Sequence, residues 1–191
     1  PGYTESVRKK LLRLNFKTSF NPEWVAQGTI VKDQSNPDLI VIGEHDKKEG
    51  NKIEKIYKKM CLNNPPFYKM DSLSAEITKI SLNCFLTTKI TFANMIGDLA
   101  ERVGADQNKI LKAIGTDTRI GSKYFAYGFG YGGPCFPRDN RAIIKFMKSK
   151  KIIPLLPDAT QKYNKLHLNY QIKKFVEKNP DKSKPIKISG V

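Results

Sequence analysis

A thiol that closes a glycine-rich run, with a carboxylate four residues further on, can carry covalent chemistry. The run is Gly128-Phe129-Gly130-Tyr131-Gly132-Gly133-Pro134-Cys135-Phe136-Pro137-Arg138-Asp139. Glycines let a backbone approach a ligand closely. Cys135 stands just ahead of Pro137 and the amphipathic stretch Arg141–Met147, which reads as the first turn of a helix. Helix N-termini and nearby cations favour the thiolate, the nucleophilic form. Spacing alone leaves a second reading open, a structural turn with an inert, buried cysteine. A second candidate pair is Lys79 and Asn83, four apart and so on one face of a helix, with Glu76 and Thr87 continuing the polar stripe. An ammonium beside an amide suits an oxyanion; the plainer alternative is a solvated edge. A third candidate is Asn21-Pro22-Glu23-Trp24-Val25-Ala26-Gln27-Gly28-Thr29, which follows a strand end, where α/β sheets present ligand groups. It reads equally as a capped turn with a core tryptophan.

The elements that must position these groups change character along the chain. Residues 3–13 read as a helix with Thr4 as N-cap, Phe16–Phe20 and Leu39–Ile42 as strands, and Asn51–Cys61 as a basic amphipathic helix. Leu39-Ile40-Val41-Ile42 ahead of Gly43 suits a strand buried on both faces of a parallel sheet. Asn63-Asn64-Pro65-Pro66 breaks the chain before a short strand, Phe67–Met70. From Ser72 to Val103 there is no proline, and apolar residues recur at helical spacing. Asp71 or Ser72 can cap this stretch and Gly104 can end it, which predicts a helix of roughly 45 Å. Such a spine belongs in a bundle or a dimer interface. Helices over Asp106–Ile114 and Asp158–Glu177 flank the glycine loop and its own helix. Lys184–Val191 resembles the first strand of a further domain, so the chain reads as a middle piece.

Composition narrows the function classes. The 191 residues are 39% hydrophobic and 27% charged, which fits a folded chain with a core, and no apolar run reaches membrane-spanning length. Three scattered cysteines without Cys-x-x-Cys pairing argue against a disulfide scaffold or a zinc site and for a reducing, cytoplasmic setting. The net charge of +16 is large. Its lysines, such as Lys48, Lys52, Lys55, Lys58 and Lys59, lie along helical patterns, not in an aromatic-interleaved stripe that stacks bases. The chain therefore reads as binding neither nucleic acid nor membrane.

Taken in order, Pro22-Glu23-Trp24…Gly28-Thr29, Ala75-Glu76-Ile77-Thr78-Lys79-Ile80-Ser81-Leu82-Asn83, Arg119-Ile120-Gly121 and Gly132–Asp139 resemble the UDP-glucose/GDP-mannose dehydrogenase family over the whole chain. The resemblance implies an α/β part followed by an all-α part. Residues 1–70 would be the C-terminal part of a Rossmann-type NAD-binding domain. Residues 71–180 would be a central helical domain, dimerising through the long helix 72–103. Residues 181–191 would open a C-terminal nucleotide-sugar domain. It also implies a four-electron oxidation of the C6 alcohol of a UDP-sugar, with NAD as cofactor and no metal. Cys135 would attack the intermediate aldehyde. Lys79 and Asn83 would hold the oxyanion, Asp139 with Lys79 would move protons and activate water, and Glu23 would be the acid/base carboxylate. Trp24, Val25, Gln27, Arg119, Tyr124, Tyr131 and Gly132 would contact the substrate, Arg119 across the dimer, and Arg138 would sit near the NAD phosphates.

The sequence departs from the family pattern in places. The cofactor-binding glycine turn would lie upstream of Pro1. Gln27 replaces a second carboxylate, Pro134 a serine, and Trp24 a phenylalanine. The 191 residues alone are expected to neither bind NAD tightly nor turn over. The Glu23–Thr29 stretch is nearer to the UDP-glucose and GDP-mannose branches than to the acetamido-sugar branch. A non-catalytic dimerisation or polyanion-binding module is the rival from a different class.

Overall fold

Ile40, Val41 and Ile42 are β-branched and carry no polar group, so they suit a strand covered on both sides. They form β1 (Ile40–Gly43), in which every residue is buried. In the computed structural model, which describes residues 1–26, 28–181 and 183, β1 pairs in parallel with β2 (Phe67–Met70), with Ile40 opposite Phe67 and Gly43 opposite Met70. The contacts divide the chain into two compact units, Pro1–Leu82 and Asn83–Val191.

The first unit holds α1 (Tyr3–Leu12), α2 (Ile30–Ser35), β1, α3 (Lys47–Met60) and β2. A parallel pair needs a crossover, and α3 supplies it. Asp46 caps α3, accepting the Glu49 N–H at 2.9 Å, so the helix begins four residues ahead of the predicted Asn51. Of the predicted strand Phe16–Phe20, only Phe20 bridges the sheet, antiparallel to Gly43. The polar Lys17-Thr18-Ser19 ahead of it offers little apolar surface to bury. Thr4 does not cap α1. Residue Gly2 occupies that position, and the Thr4 hydroxyl and N–H both donate to Glu76, as does the Gly2 N–H.

The spine α4 (Ser72–Arg102) runs through the division, its residues to Leu82 belonging with the first unit. Asp71 caps it through the Ser74 N–H at 2.9 Å, and Gly104 follows its end in the left-handed region, at φ 74°. The second unit continues with α5 (Gln107–Thr116), α6 (Phe136–Ser149) and α7 (Leu155–Lys178), and α6 packs on α7. Asp106 caps α5 through the Lys109 N–H. A small core of Ala93, Leu111 and Phe125, joined by Ile96, Ile114 and Tyr127, fixes α5 and the following loop on α4.

The buried side of α4 in this unit is mostly polar. Thr87, Thr91, Asn94 and Asp98, spaced four, three and four apart, are all buried. The apolar Phe85, Phe92, Met95, Leu99 and Val103 are exposed. The polar stripe, for which a solvated edge is the plainer alternative, thus lies inside the unit at Thr87, and Glu76 is likewise buried in the first unit. The predicted domain beginning at residue 181 lies outside the described residues, apart from Asp181 and Ser183.

Candidate active site

The cysteine helix docks through two consecutive polar residues. Cys135 occupies the N-cap position of α6 and is exposed. Its carbonyl accepts the Asp139 N–H at 2.8 Å, closing the first turn and turning Asp139 and Asn140 inward. Asn83 Nδ2 donates to Asp139 Oδ2 at 2.6 Å, and both residues are buried. Asn140 Nδ2 donates to Thr87 Oγ1 at 2.9 Å and to the Phe136 carbonyl at 3.0 Å. Asn83 and Thr87 are one turn apart on α4, so neighbouring residues of α6 reach successive turns of the spine. The exposed Arg138 bonds through Nε to the other Asp139 oxygen, Oδ1, at 2.9 Å. A hydrogen bond to a buried carboxylate contributes about 1.5–3 kcal/mol, whereas an exposed ion pair contributes roughly 0–1 kcal/mol. Asn83, more than Arg138, therefore fixes Asp139.

The thiols have different surroundings. Cys84 is buried on α4, and its thiol is pushed up to about 12 by that burial first and by the Asp139 charge second. Half-buried Cys61 is also raised by burial. Cys84 thus stays a neutral thiol, while Cys135 is open to reagents. Iodoacetamide at about pH 8 is expected to alkylate Cys135 in the native protein and leave Cys84 intact. Peptide mapping by mass spectrometry checks this, and equal labelling of the two would contradict the burial of Cys84.

The loop before Cys135 is tied down by side chains. Asn94 accepts the Gly128 N–H at 3.0 Å and donates to the Phe129 carbonyl at 3.3 Å. Asn164 accepts the Tyr131 N–H at 2.9 Å and donates to its carbonyl at 3.0 Å. Gly133 turns the chain at φ 74°, a conformation glycine adopts without strain. Gly128, Gly130 and Gly133 have the spacing of a dinucleotide-binding turn, but no strand precedes them, so they do not form one. Tyr131 and Tyr124 both meet the Phe136 ring edge-on, at 6.4 and 6.3 Å. The Tyr131 hydroxyl is buried, has no hydrogen-bond partner among the described residues, and is pushed up to about 12 by burial, then by Cys84. Tyr124 sits at φ 60°, uncommon for a bulky residue, and is exposed. Gly132 is exposed.

Arg119 points into solvent, braced by its neighbour Asp117. The Arg119 N–H and Nε reach Asp117 Oδ1 at 2.9 and 3.0 Å, and its terminal nitrogen reaches Oδ2 at 2.7 Å. Lys89 on α4 holds that turn through the Ile120 and Gly121 carbonyls, at 2.9 and 3.2 Å.

In the first unit, Lys79 Nζ donates to the Glu23 main-chain carbonyl at 2.5 Å and stands 4.6 Å above the Trp24 ring. The Glu23 carboxylate is engaged elsewhere, accepting from Gln34 Nε2 at 3.4 Å. Lys79 is thus brought to the backbone of the Glu23 turn. Val25 lies at the surface, and Gln27 falls outside the described residues. A groove of about 340 Å³ in this unit, lined by Leu39, Val41, Pro66, Tyr68 and Met70, contains none of the candidate residues. It is a flank of the sheet.

The candidate residues therefore form two groups, each within one unit: Glu23, Trp24 and Lys79 in the first, and Asn83, Asp139, Arg138, Cys135, Tyr124 and Tyr131 in the second. The supporting residues Asn94, Asp98, Asn140, Asn164 and His167 escape sequence reasoning. Their one visible signal is the run of polar residues at helical spacing in α4.

A parallel βαβ unit leading into a helical unit with a cysteine at a helix start is the junction of a Rossmann-like domain and a helical domain. The UDP-glucose/GDP-mannose dehydrogenase family models match it on both sides, the NAD binding domain over residues 2–61 and the central domain over residues 73–166. The chain belongs to the UDP-glucose/GDP-mannose dehydrogenase family. UDP-glucose 6-dehydrogenase YwqF of Bacillus subtilis is 39% identical over 132 residues, which cover 69% of this chain and 29% of that one. A UDP-glucose 6-dehydrogenase of Rickettsia bellii is 37% identical over 151 residues, 79% of this chain and 35% of that one. The structure of a UDP-glucose dehydrogenase from Pyrobaculum islandicum superposes with a TM-score of 0.87 at 34% identity, covering 94% of this chain and 42% of that one. The chain spans about a third of the length of the curated relatives it matches.

Proposed function

We propose that this chain carries the acyl-transfer centre of an NAD-dependent dehydrogenase that oxidises the C6 hydroxyl of UDP-glucose to the carboxylate of UDP-glucuronate. The observation that carries this reading is the buried Asn83–Asp139 bond beneath the helix start that leaves Cys135 exposed. Residues 1–70 are read as the C-terminal part of the NAD-binding domain, 71–180 as the central domain, and 181–191 as the opening of a nucleotide-sugar domain.

In this mechanism two NAD molecules, bound in turn, would each accept one hydride. Glu23 takes the C6 hydroxyl proton in the first oxidation. Cys135 Sγ then bonds to the aldehyde carbon, giving a thiohemiacetal whose oxyanion is stabilised by Lys79 and Asn83. Loss of the second hydride leaves a thioester on Cys135. Asp139, with Lys79, takes a proton from the attacking water, and hydrolysis restores the thiol and releases the acid. The part of the cofactor site expected in this chain is one cation, Arg138. It bonds Asp139 only through Nε among the described hydrogen bonds and is exposed, which fits a diphosphate partner. Tyr131, with its buried unpartnered hydroxyl, and Tyr124 are read as substrate contacts, together with Trp24, Val25, Gln27, Gly132 and Arg119.

The exposed apolar residues of α4, among them Phe85, Phe92 and Leu99, support a homodimer through helix 72–103. Among the described residues no helix is long and apolar enough to cross a membrane. A cytoplasmic location without a nucleic-acid or membrane partner completes the reading. A GDP-mannose 6-dehydrogenase is the second reading. The GDP-mannose dehydrogenase of Pseudomonas aeruginosa superposes with a TM-score of 0.58 at 29% identity, and the UDP-glucose assignment is preferred on the 39% and 37% identity to the two UDP-glucose 6-dehydrogenases above.

The test is NADH formation by the full-length protein with UDP-glucose, UDP-N-acetylhexosamines and GDP-mannose. UDP-glucose is expected to give two NADH per acid formed, with the highest kcat/KM. Preference for GDP-mannose would select the second reading, and no turnover with any of them would overturn both.

A further inference from the structure

The near end of the Cys135 loop is held by a group that the reaction does not use. His167 on α7 is fully buried, at 1% exposure. Its Nε2 lies 2.6 Å from the Gly128 carbonyl oxygen, and its Nδ1 lies 3.0 and 2.9 Å from the two Asp98 oxygens on α4. A carbonyl oxygen only accepts, so Nε2 carries a hydrogen. The proton shared by Nδ1 and Asp98 is placed by chemistry. An imidazole holds a proton more tightly than a carboxyl group does in their ordinary states. The Asp98 oxygens also lie 3.0 Å from the Tyr127 hydroxyl and 2.9 Å from the Tyr163 hydroxyl, which donates to Oδ2.

Neighbouring charges do not compete for the pair. Glu101 on α4 binds Lys174 of α7, accepts from the Tyr170 hydroxyl at 3.1 Å, and shares the Tyr127 hydroxyl hydrogen with Asp98. Arg102 stacks on the Tyr170 ring at 4.8 Å. Tyr127 itself meets the His167 ring edge-on at 5.7 Å. Asp98 is thus the acid left to balance His167.

We infer that His167 is a buried imidazolium and a positioning residue for Cys135, gripping the Gly128 carbonyl with Asp98 as its counter-ion. This rests on the reading of Cys135 as the nucleophile. Gly128 begins the stretch that Asn94 and Asn164 also hold, so its hydrogen bonds among the described residues come from helix side chains and not from a backbone ladder. A neutral ring could donate to the carbonyl or to the carboxylate but not to both. The charge is therefore what connects loop, α7 and α4. Charge-assisted hydrogen bonds are also shorter and stronger than neutral ones, which suits a latch.

The experiment uses the full-length protein labelled with 15N-histidine. NMR is expected to show both His167 nitrogens bearing hydrogen, assigned by their loss in His167→Gln. In Asp98→Asn only Nε2 is expected to keep its hydrogen, because the new amide can donate to Nδ1. His167→Gln, folded by circular dichroism, is expected to change the alkylation rate of Cys135 and to lower kcat, each by about tenfold or more, a displacement of about 1 Å being enough to cost about a hundredfold. Asp98→Asn keeps the Gly128 bond and is expected to change both less. It carries the comparison if His167→Gln does not fold, a Cys135 alkylation rate measurably different from wild type then supporting the latch. A bare nitrogen on His167 in the wild-type protein would overturn the inference. So would wild-type rates in folded His167→Gln, or in Asp98→Asn where that variant carries the comparison. If the NMR and alkylation results are as expected but no sugar nucleotide is oxidised, the proposed reaction fails and the latch stands.

Discussion

Cys135→Ser in the full-length protein is expected to abolish acid formation, lowering kcat for NADH production by about 10³-fold or more, the scale seen when a covalent nucleophile is removed. A serine hydroxyl is not ionised at neutral pH and has no adjacent base among its described contacts, so it cannot replace a thiolate. The change is nearly isosteric at an exposed N-cap position where serine is favoured, so folding should be unaffected. The variant should stop at or before the aldehyde. Cys61→Ser, in the first unit and away from the α6 start, serves as the control and should keep its rate. Acid production by Cys135→Ser at the wild-type rate would remove the covalent mechanism.

Gly97→Ala tests the packing that supports the loop, and here two effects of opposite sign compete. In a helix interior, alanine is ordinarily preferred to glycine by roughly 0.5–1 kcal/mol. At position 97 an added Cβ would fall 2.0 Å from Tyr127 Cδ2 and 2.6 Å from Cε2. The Tyr127 ring is not free to swing away. Its hydroxyl lies 3.0 Å from Asp98 and 3.1 Å from Glu101, which share its one hydrogen, and accepts from Gln171 Nε2 at 2.8 Å, and its ring meets His167 edge-on. Overpacking costs about 1–3 kcal/mol, so it outweighs the helix preference and a net loss of about 1–2 kcal/mol is expected. Urea unfolding checks the sign. A stabilised Gly97→Ala would mean that Tyr127 moves without cost. Combining it with Tyr127→Leu should recover much of the loss, because residues in contact are coupled.

Local chemistry made much of this fold legible. Asp71 and Asp106 each sit immediately before a helix and bond the N–H three residues on, a signal that depends on no distant partner, and Asp46 carries the same signal ahead of α3, although the predicted start at Asn51 passes over it. The long Pro-free stretch became α4, and Leu39–Ile42 became β1 with a shift of one residue. Helix α2 leaves no clear mark in the sequence, because Ile30-Val31-Lys32 carries β-branched residues and no clear period. It is held instead by Asp33, which accepts from the Ala26 N–H and the Thr29 hydroxyl.

At the site, Cys135, Asn83 and Asp139 are recognisable from type and spacing. What holds them is not. Thr87, Asn94 and Asp98 read as the outside of a helix until Asn140, the glycine loop and His167 are known to face them, and those partners are 34 to 69 residues away. A buried polar seam can be told from a solvated one only by its partners. Apolar residues of α4 such as Phe85, Phe92 and Leu99, whose helical spacing suits a bundle or a dimer interface, are exposed in this chain.

The central claim is that Cys135 becomes acylated during turnover. The direct measurement is acid quenching of the full-length protein during turnover of UDP-glucose and NAD, followed by peptide mass spectrometry. Asp139→Asn, which removes the acceptor for the water proton, should raise the yield. The account predicts a UDP-glucuronyl adduct on the peptide containing Cys135, absent without NAD and sensitive to hydroxylamine as a thioester is. Steady production of UDP-glucuronate with Cys135 unmodified in both proteins would contradict it.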